Sequence, residues 1–203
     1  MTFGLWALAA YLLGAIPTSF LVARFAKGVD LRQVGSKNLG ATNLYRSLGW
    51  RYAIPVGLFD AAKGAIPVWL FGPRAGGGPW IPILLGLVAV LGHVFSVFVR
   101  FKGGKGVATA AGVVLGIAPW ATLVCLGIWA LVVRATGYVS LGSIAASLAL
   151  PLVARWLHPG LGPAHWVLVG LGLFVVVMHR ANIARLIAGT ENRFGRPDGA
   201  AKP

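Results

Sequence analysis

The sequence predicts an all-α, polytopic membrane protein of seven transmembrane helices, and three observations carry that expectation. Of 203 residues, 58% are apolar and only 11% are charged, against roughly 25% charged in a soluble domain. The apolar residues fall into long runs, and a bilayer core about 30 Å thick takes about 20 such residues per helix. The gaps between runs are alternately rich and poor in cations, as cytoplasmic and external loops are.

The elements follow in order. The first run, residues 3–22, lacks a basic leader and is too long for the apolar core of a secretory signal, so it reads as a retained span. The loop after it carries Arg24, Lys27, Arg32, Lys37, Arg46 and Arg51; it belongs in the cytoplasm, with the N-terminus outside. Residues 53–71 cross to a gap holding only Arg74, and residues 80–99 return to Arg100, Lys102 and Lys105. The run 107–133 is too long for one comfortable crossing, and Gly116 and Pro119 interrupt it. Two crossings that turn at Pro119 keep Arg134 and the basic C-terminal segment (Arg180, Arg185, Arg193, Arg196, Lys202) cytoplasmic, whereas one crossing would put that segment outside. The fourth helix is then short, about residues 107–117 and roughly 17 Å long. It needs protein around its start and a polar cavity at its exposed end. A sixth helix opens near residue 138 and a seventh covers 167–178 with its flanks. Trp80, Trp120, Trp156 and Trp166 all fall at outer helix ends, where indole rings prefer to lie; Arg155 is left outside beside His158. Residues 1–195 are expected to form one integral-membrane domain and residues 196–203 a disordered tail.

A net charge of +14 raises the question of nucleic acid, but the cations are confined to gaps between spans and form no stripe or tail. The four acidic residues, Asp30, Asp60, Glu191 and Asp198, are too few for an oxygen-ligand metal site, and Cys125 has no partner for a disulfide or a zinc site. No metal and no cofactor are expected.

Three motifs carry chemistry. The first is Gly35-Ser36-Lys37-Asn38-Leu39-Gly40-Ala41-Thr42-Asn43, followed by Arg46. Glycines let backbone N–H groups converge on an anion, and short Ser, Asn and Thr side chains add donors without filling the space. The second is Gly92-His93 and then Lys102-Gly103-Gly104-Lys105-Gly106 just before the short helix, whose N-terminus favours phosphate. It looks like a Walker A loop but is not one: Val99 replaces the first glycine, and no strand precedes it. The third places His179 and Asn182 three residues apart on one helical face. Ser140 and Ser143 open the sixth helix, and either one is positioned to join the same cavity or to act as an ordinary cap. Asp60 and Lys63 should pair inside the bundle in a structural role. His93 reads as a helix-to-helix hydrogen-bonding residue, while His158 and His165 lie outside and are expected to be uninvolved.

These motifs, in this order, resemble the bacterial acyl-phosphate:glycerol-3-phosphate acyltransferases over about residues 3–194. The resemblance implies seven membrane helices and transfer of a fatty acyl group from acyl phosphate to glycerol 3-phosphate, giving lysophosphatidic acid and phosphate, the first acylation of phospholipid synthesis. It further implies a bacterial cytoplasmic (inner) membrane location with the site facing the cytoplasm, and a monomer among membrane lipid is expected. Ser36, Asn38, Arg46, Lys105, Ser143, His179 and Asn182 match positions that the family uses around its substrates. Lys37 departs from a common glycine, and Ser96 from the proline usual after the Gly-His pair.

Acyl phosphate is a mixed anhydride with a good leaving group, so what remains for the protein is to hold two anions together and to move a hydroxyl proton. Lys105, Arg46, Lys102 and the amides around Gly35, Gly40, Gly103, Gly104 and Gly106 are assigned to phosphate, with Thr42 and Asn43 as further donors. Ser36 and Asn38 orient substrate. His179, held by Asn182, either contacts phosphate or acts as general base, a role the donor phosphate could take instead. An acyl-serine route is disfavoured because no acid is expected to complete a Ser-His-carboxylate set. The His-x4-Asp arrangement of other acyltransferases is missing: Phe98, Pro163, Gly170 and Ala184 stand five residues after the four histidines. The rival from another class is a transporter or channel for an organic phosphate, which would use the same cationic loops and broken helix; against it, there is no internal repeat and no basic entry on the outer face.

Overall fold

A computed structural model of the chain describes residues 2–194; the expected tail 196–203, with Arg196, Asp198 and Lys202, lies outside the described residues. Every regular element among them is helical, and the chain divides into two compact units, residues 1–119 and 120–203.

The first unit contains α1 (Phe3–Ala15), α2 (Thr18–Lys27), α3 (Ala41–Leu48), α4 (Trp50–Ile66), α5 (Gly72–Ala75), α6 (Trp80–Val94) and α7 (Val107–Ile117). A π-turn at Pro67–Phe71 joins α4 to α5. Pro67 has no N–H for the carbonyl four residues back, and the hydrogen-bond ladder widens there. The first expected span is not one helix. Pro17 withholds its N–H, and α1 and α2 meet at 41°. The carbonyls released at this break find side-chain donors: Ser96 Oγ donates to Ala15 O, and Lys63 Nζ to Ile16 O at 2.8 Å. The expected short helix is present, with α7 closing at Ile117 and the next helix starting at Pro119.

Glycines set the helix spacing. α1 packs on α6 and α4 on α7 through reciprocal contacts. A Cβ on Gly14 would strike Ala89 O, and one on Gly92 would strike Tyr11 O. On Gly64 it would strike Thr109 O, and on Gly112 Ala61 O. Backbone against backbone is how helices pack tightly where lipid offers no hydrophobic drive.

At the centre of this unit Lys63 is 0% exposed. Its Nζ lies 2.6 Å from Asp60 Oδ1, 2.8 Å from Ile16 O, 3.2 Å from Thr18 Oγ1 and 3.4 Å from His93 Nδ1. One ammonium thus joins α4, the α1–α2 break and the end of α6. The expected Asp60–Lys63 pair is present, and His93 bonds between helices as expected.

The second unit contains α8 (Pro119–Thr136, beginning at the unit boundary), α9 (Val139–Leu157), α10 (Ala164–Met178) and α11 (Arg180–Ile187). α9 and α10 form a hairpin in which Gly172 faces Ser147 O, and Gly142 lets α9 approach Trp129 of α8. α10 and α11 bend by 56° at His179. Four stretches are long and apolar enough to cross a membrane: Trp50–Ala75, Trp80–Val99, Pro119–Thr136 and Val139–Leu157. The number rises to six if each bent pair, α1 with α2 and α10 with α11, is one span. Leu58, Leu131 and Leu152 are exposed on these stretches, as lipid-facing side chains are.

Lys63→Ala is expected to destabilise the protein by about 3–5 kcal/mol, because Asp60 would stay buried without its counter-charge. The double variant Lys63→Met with Asp60→Leu should recover most of that loss. Thermal unfolding in detergent reads both, and an equal loss in the double variant would show that charge pairing is not what Lys63 supplies.

Candidate active site

The first two motifs come together within the first unit. Residues 35–43 wind around Asn43, which is buried: its Nδ2 donates to Leu31 O at 3.2 Å and Val34 O at 3.1 Å, and its Oδ1 accepts the Ser36 amide at 3.0 Å. Asn43 was expected to donate to phosphate. Its two amide protons instead hold the loop, because a turn with few backbone bonds of its own needs an internal staple. Gly35 takes a φ of 55° and Lys37 a φ of 58°, which reverses the chain and leaves both exposed. Gly40 caps α3, accepting from the amides of Asn43 and Leu44. Thr42 then falls in the first turn of α3, where N–H groups lack helical partners, with Arg46 one turn on. Ser36 and Asn38 are partly buried on the loop.

The second motif folds back on α6. Gly103 donates to Val94 O at 2.9 Å and Gly104 to His93 O at 3.2 Å. The amides of these two glycines, expected to bind an anion, therefore satisfy the last carbonyls of α6, which have no partner within their own helix. The reason for glycine here is close approach. A Cβ on Gly103 would strike His93 O, and one on Gly104 would strike His93 Nε2 and sit 3.1 Å from Leu39 O of the first motif. Gly106, with a φ of 77°, starts α7. Lys102 is exposed and Lys105 partly buried immediately before that helix.

The third motif lies in the second unit. His179 and Asn182 are both buried. His179 Nδ1 is 2.7 Å from Val175 O; a carbonyl only accepts, so Nδ1 carries a proton, and in the neutral ring the lone pair is then on Nε2. Asn182 Nδ2 donates to Glu191 Oε1 at 2.6 Å. Ser140 Oγ donates to the same oxygen at 2.8 Å, and Arg185 Nε to Oε2 at 2.7 Å. Ser143, the serine that the family resemblance implies, turns to Val139 O of its own helix at 3.0 Å. Ser140 is thus the one connected to Asn182.

Glu191 is the residue that sequence reasoning missed: its carboxylate gathers Ser140, Asn182 and Arg185. Its signal was scarcity: one acid in a strongly basic stretch, six residues after Arg185. Burial works to raise its pKa, but hydrogen bonds from Asn182, Ser140 and Arg185 together outweigh burial and hold the carboxyl below its ordinary value. A carboxylate so held is a weak base. Each of the three described acids pairs with a cation: Asp30 with Arg32, Asp60 with Lys63 and Glu191 with Arg185. No group of three His, Cys, Asp or Glu that would hold a metal occurs among the described residues.

The lowered Glu191 pKa makes a signed prediction. Its contribution to stability is complete above the ordinary carboxylate pKa of about 4.3 and is lost as pH falls through the lower folded value. The melting temperature should therefore drop below about pH 4, and Glu191→Gln should flatten that drop while lowering stability at neutral pH; an unchanged acid limb in the variant would refute the assignment.

Comparison with known proteins identifies the family. The family model described as glycerol-3-phosphate acyltransferase matches residues 4–189. Curated proteins named glycerol-3-phosphate acyltransferase include one from Geotalea daltonii, 49% identical over 92% of this chain and 95% of its own. Another, from Geobacter sulfurreducens, is 47% identical over 91% and 94%. A crystal structure of PlsY (YgiH), described as an integral membrane glycerol 3-phosphate acyltransferase in its glycerol 3-phosphate form, superposes with a TM-score of 0.88 at 40% identity, covering 95% of this chain and 96% of that one. Its lysophosphatidic acid form gives a TM-score of 0.84 at 39% identity. With apolar helices long enough to span, glycine-packed and carrying these motifs, the chain is a bacterial integral membrane protein that belongs to the glycerol-3-phosphate acyltransferase family.

Proposed function

We propose that this chain transfers a fatty acyl group from acyl phosphate to glycerol 3-phosphate, releasing lysophosphatidic acid and inorganic phosphate. The observation that carries the reading is the meeting of the first two motifs at Leu39 and Gly104, which delivers Lys105 to the amino end of α7. A lysine beside the first-turn amides of a helix is a phosphate cradle. The PlsY structures, one a glycerol 3-phosphate form and one a lysophosphatidic acid form, support the same acceptor and product.

In this reading the acceptor hydroxyl oxygen attacks the acyl carbonyl carbon, the bond from that carbon to the phosphate oxygen breaks, and inorganic phosphate leaves. The hydroxyl proton goes to His179 Nε2 or to the departing phosphate. Lys105, Lys102, Arg46 and the first-turn amides near Thr42 and Gly106 neutralise phosphate, while Ser36 and Asn38 orient substrate. Asn182, Ser140 and Glu191 fix the segment that carries His179. A direct transfer is favoured over an acyl-serine intermediate, since the carboxylate facing Ser140 is too weak a base to activate it. Residues 1–195 act as one monomeric domain in the bacterial cytoplasmic membrane. Seven helices, counting α1–α2 and α10–α11 as single spans and α7 as a short one, place the N-terminus outside and the three motifs toward the cytoplasm, a topology supported by the charge distribution of the loops.

Purified protein in lipid, given glycerol 3-phosphate with either acyl phosphate or acyl-CoA, should form lysophosphatidic acid from acyl phosphate alone; product from acyl-CoA would overturn the donor assignment. Lys105→Ala should raise the KM for a phosphate-bearing substrate about 10- to 100-fold, the worth of a charge-assisted hydrogen bond. His179→Ala should lower kcat by about 10²-fold or more in a protein that still folds, and wild-type turnover in that variant would remove His179 from the mechanism.

A further inference from the structure

The far end of the α9–α10 hairpin, where the sequence suggested no basic entry and uninvolved histidines, holds a basic cavity that the acyl transfer does not use. It encloses about 220 Å³ and is lined by Arg155, His158, His165 and Trp166, with the 159–162 turn as its floor. α9 runs 19 residues from Val139 to Leu157, about 28 Å at 1.5 Å per residue. The cavity is therefore separated from the Ser140–Glu191 cluster by the thickness of a membrane core.

Three features at this end call for an anion. Arg155 makes no ion pair among the described residues, and the one described acid of this unit, Glu191, already bonds Arg185. His158 Nε2 and His165 Nδ1 are buried without a hydrogen-bond partner. A buried polar group left unsatisfied costs about 1–3 kcal/mol, so two in the side chains that wall one cavity are unusual. Finally, Trp156 and Trp166 are 78% and 72% exposed beside it, and His165 packs edge-on against Trp166 at 5.7 Å. Indoles exposed at a helix end mark the headgroup layer, where the abundant anion is a lipid phosphodiester.

We propose that this cavity binds the phosphodiester of an anionic phospholipid, with Arg155 supplying the planar guanidinium fork, His158 and His165 donating to the remaining phosphate oxygens, and the two tryptophans flanking the glycerol backbone. The site lies on the opposite membrane face from the His179 segment and takes no part in the reaction; it anchors the α9–α10 hairpin to one leaflet.

Delipidated protein in detergent should retain phosphatidylglycerol in native mass spectrometry and gain several degrees of thermal stability from it, with no gain from diacylglycerol. Arg155→Gln with His158→Gln should reduce retention about tenfold, leaving the lipid-free melting temperature and the detergent-phase acyltransferase rate unchanged. If that pair misfolds, Arg155→Lys alone, which keeps charge but loses the fork, should lose part of the retention. Equal retention by wild type and either folded variant overturns the site, and stabilisation by inorganic phosphate equal to that by phosphatidylglycerol overturns the lipid assignment in favour of a free anion.

Discussion

A single buried ammonium organises the first unit. Lys63 reaches the helix break at Ile16 and Thr18, the carboxylate of Asp60 and the ring of His93, and each of these fixes something else. The break sets the direction of α2, whose end leads into the first glycine motif. His93 lies against Gly104, so the ring held by Lys63 also bounds the second motif. An ion pair taken out of water is tolerable only when nearly every donor and acceptor is met. Lys63 meets that condition by using the Ile16 carbonyl and the Thr18 hydroxyl at the break that Pro17 makes. The broken first helix and the buried charge therefore stabilise one another, and neither would be expected alone in a membrane interior.

The second constraint is a shortage of anions. The chain carries 18 Lys and Arg but 4 Asp and Glu, and the three described carboxylates are all engaged in building structure. Asp30 accepts the backbone amide and the guanidinium of Arg32, which lowers its pKa to about 2. Cations in excess of internal partners are what an enzyme of phosphorylated lipid precursors requires, because its anions arrive with the substrates and with the surrounding membrane. The same excess explains why glycine, more than charge, shapes the loops: close backbone approach at Gly103 and Gly104 stacks the lysine loop on α6 without adding another ion pair.

Much of the candidate site was legible in the sequence. The order of the three motifs, the short helix starting at Val107 and the pairing of Asp60 with Lys63 follow from patterns of glycine, proline and charge at local spacing. The roles of single donors were not. Asn43 and the amides of Gly103 and Gly104 look like anion ligands until the carbonyls that claim them, at Leu31, Val34, His93 and Val94, are seen beside them. Ser140 and Ser143 are equivalent by spacing, and only the fold brings Glu191, 51 residues away in sequence, within bonding distance of Ser140.

By itself the sequence determined an all-helical chain with membrane-length apolar runs and the three motifs with their family, since these depend on composition and on residues near one another along the chain. The tertiary structure decided that Pro17 breaks the first run, that Ser96 and Lys63 repair the break, that Asn43 staples its loop, and that Glu191 gathers Ser140, Asn182 and Arg185. The physical reason is common to the last three. A polar group in a low-dielectric interior takes whatever partner the packing brings within 3 Å or so, and such partners are set by helix contacts between residues distant in sequence.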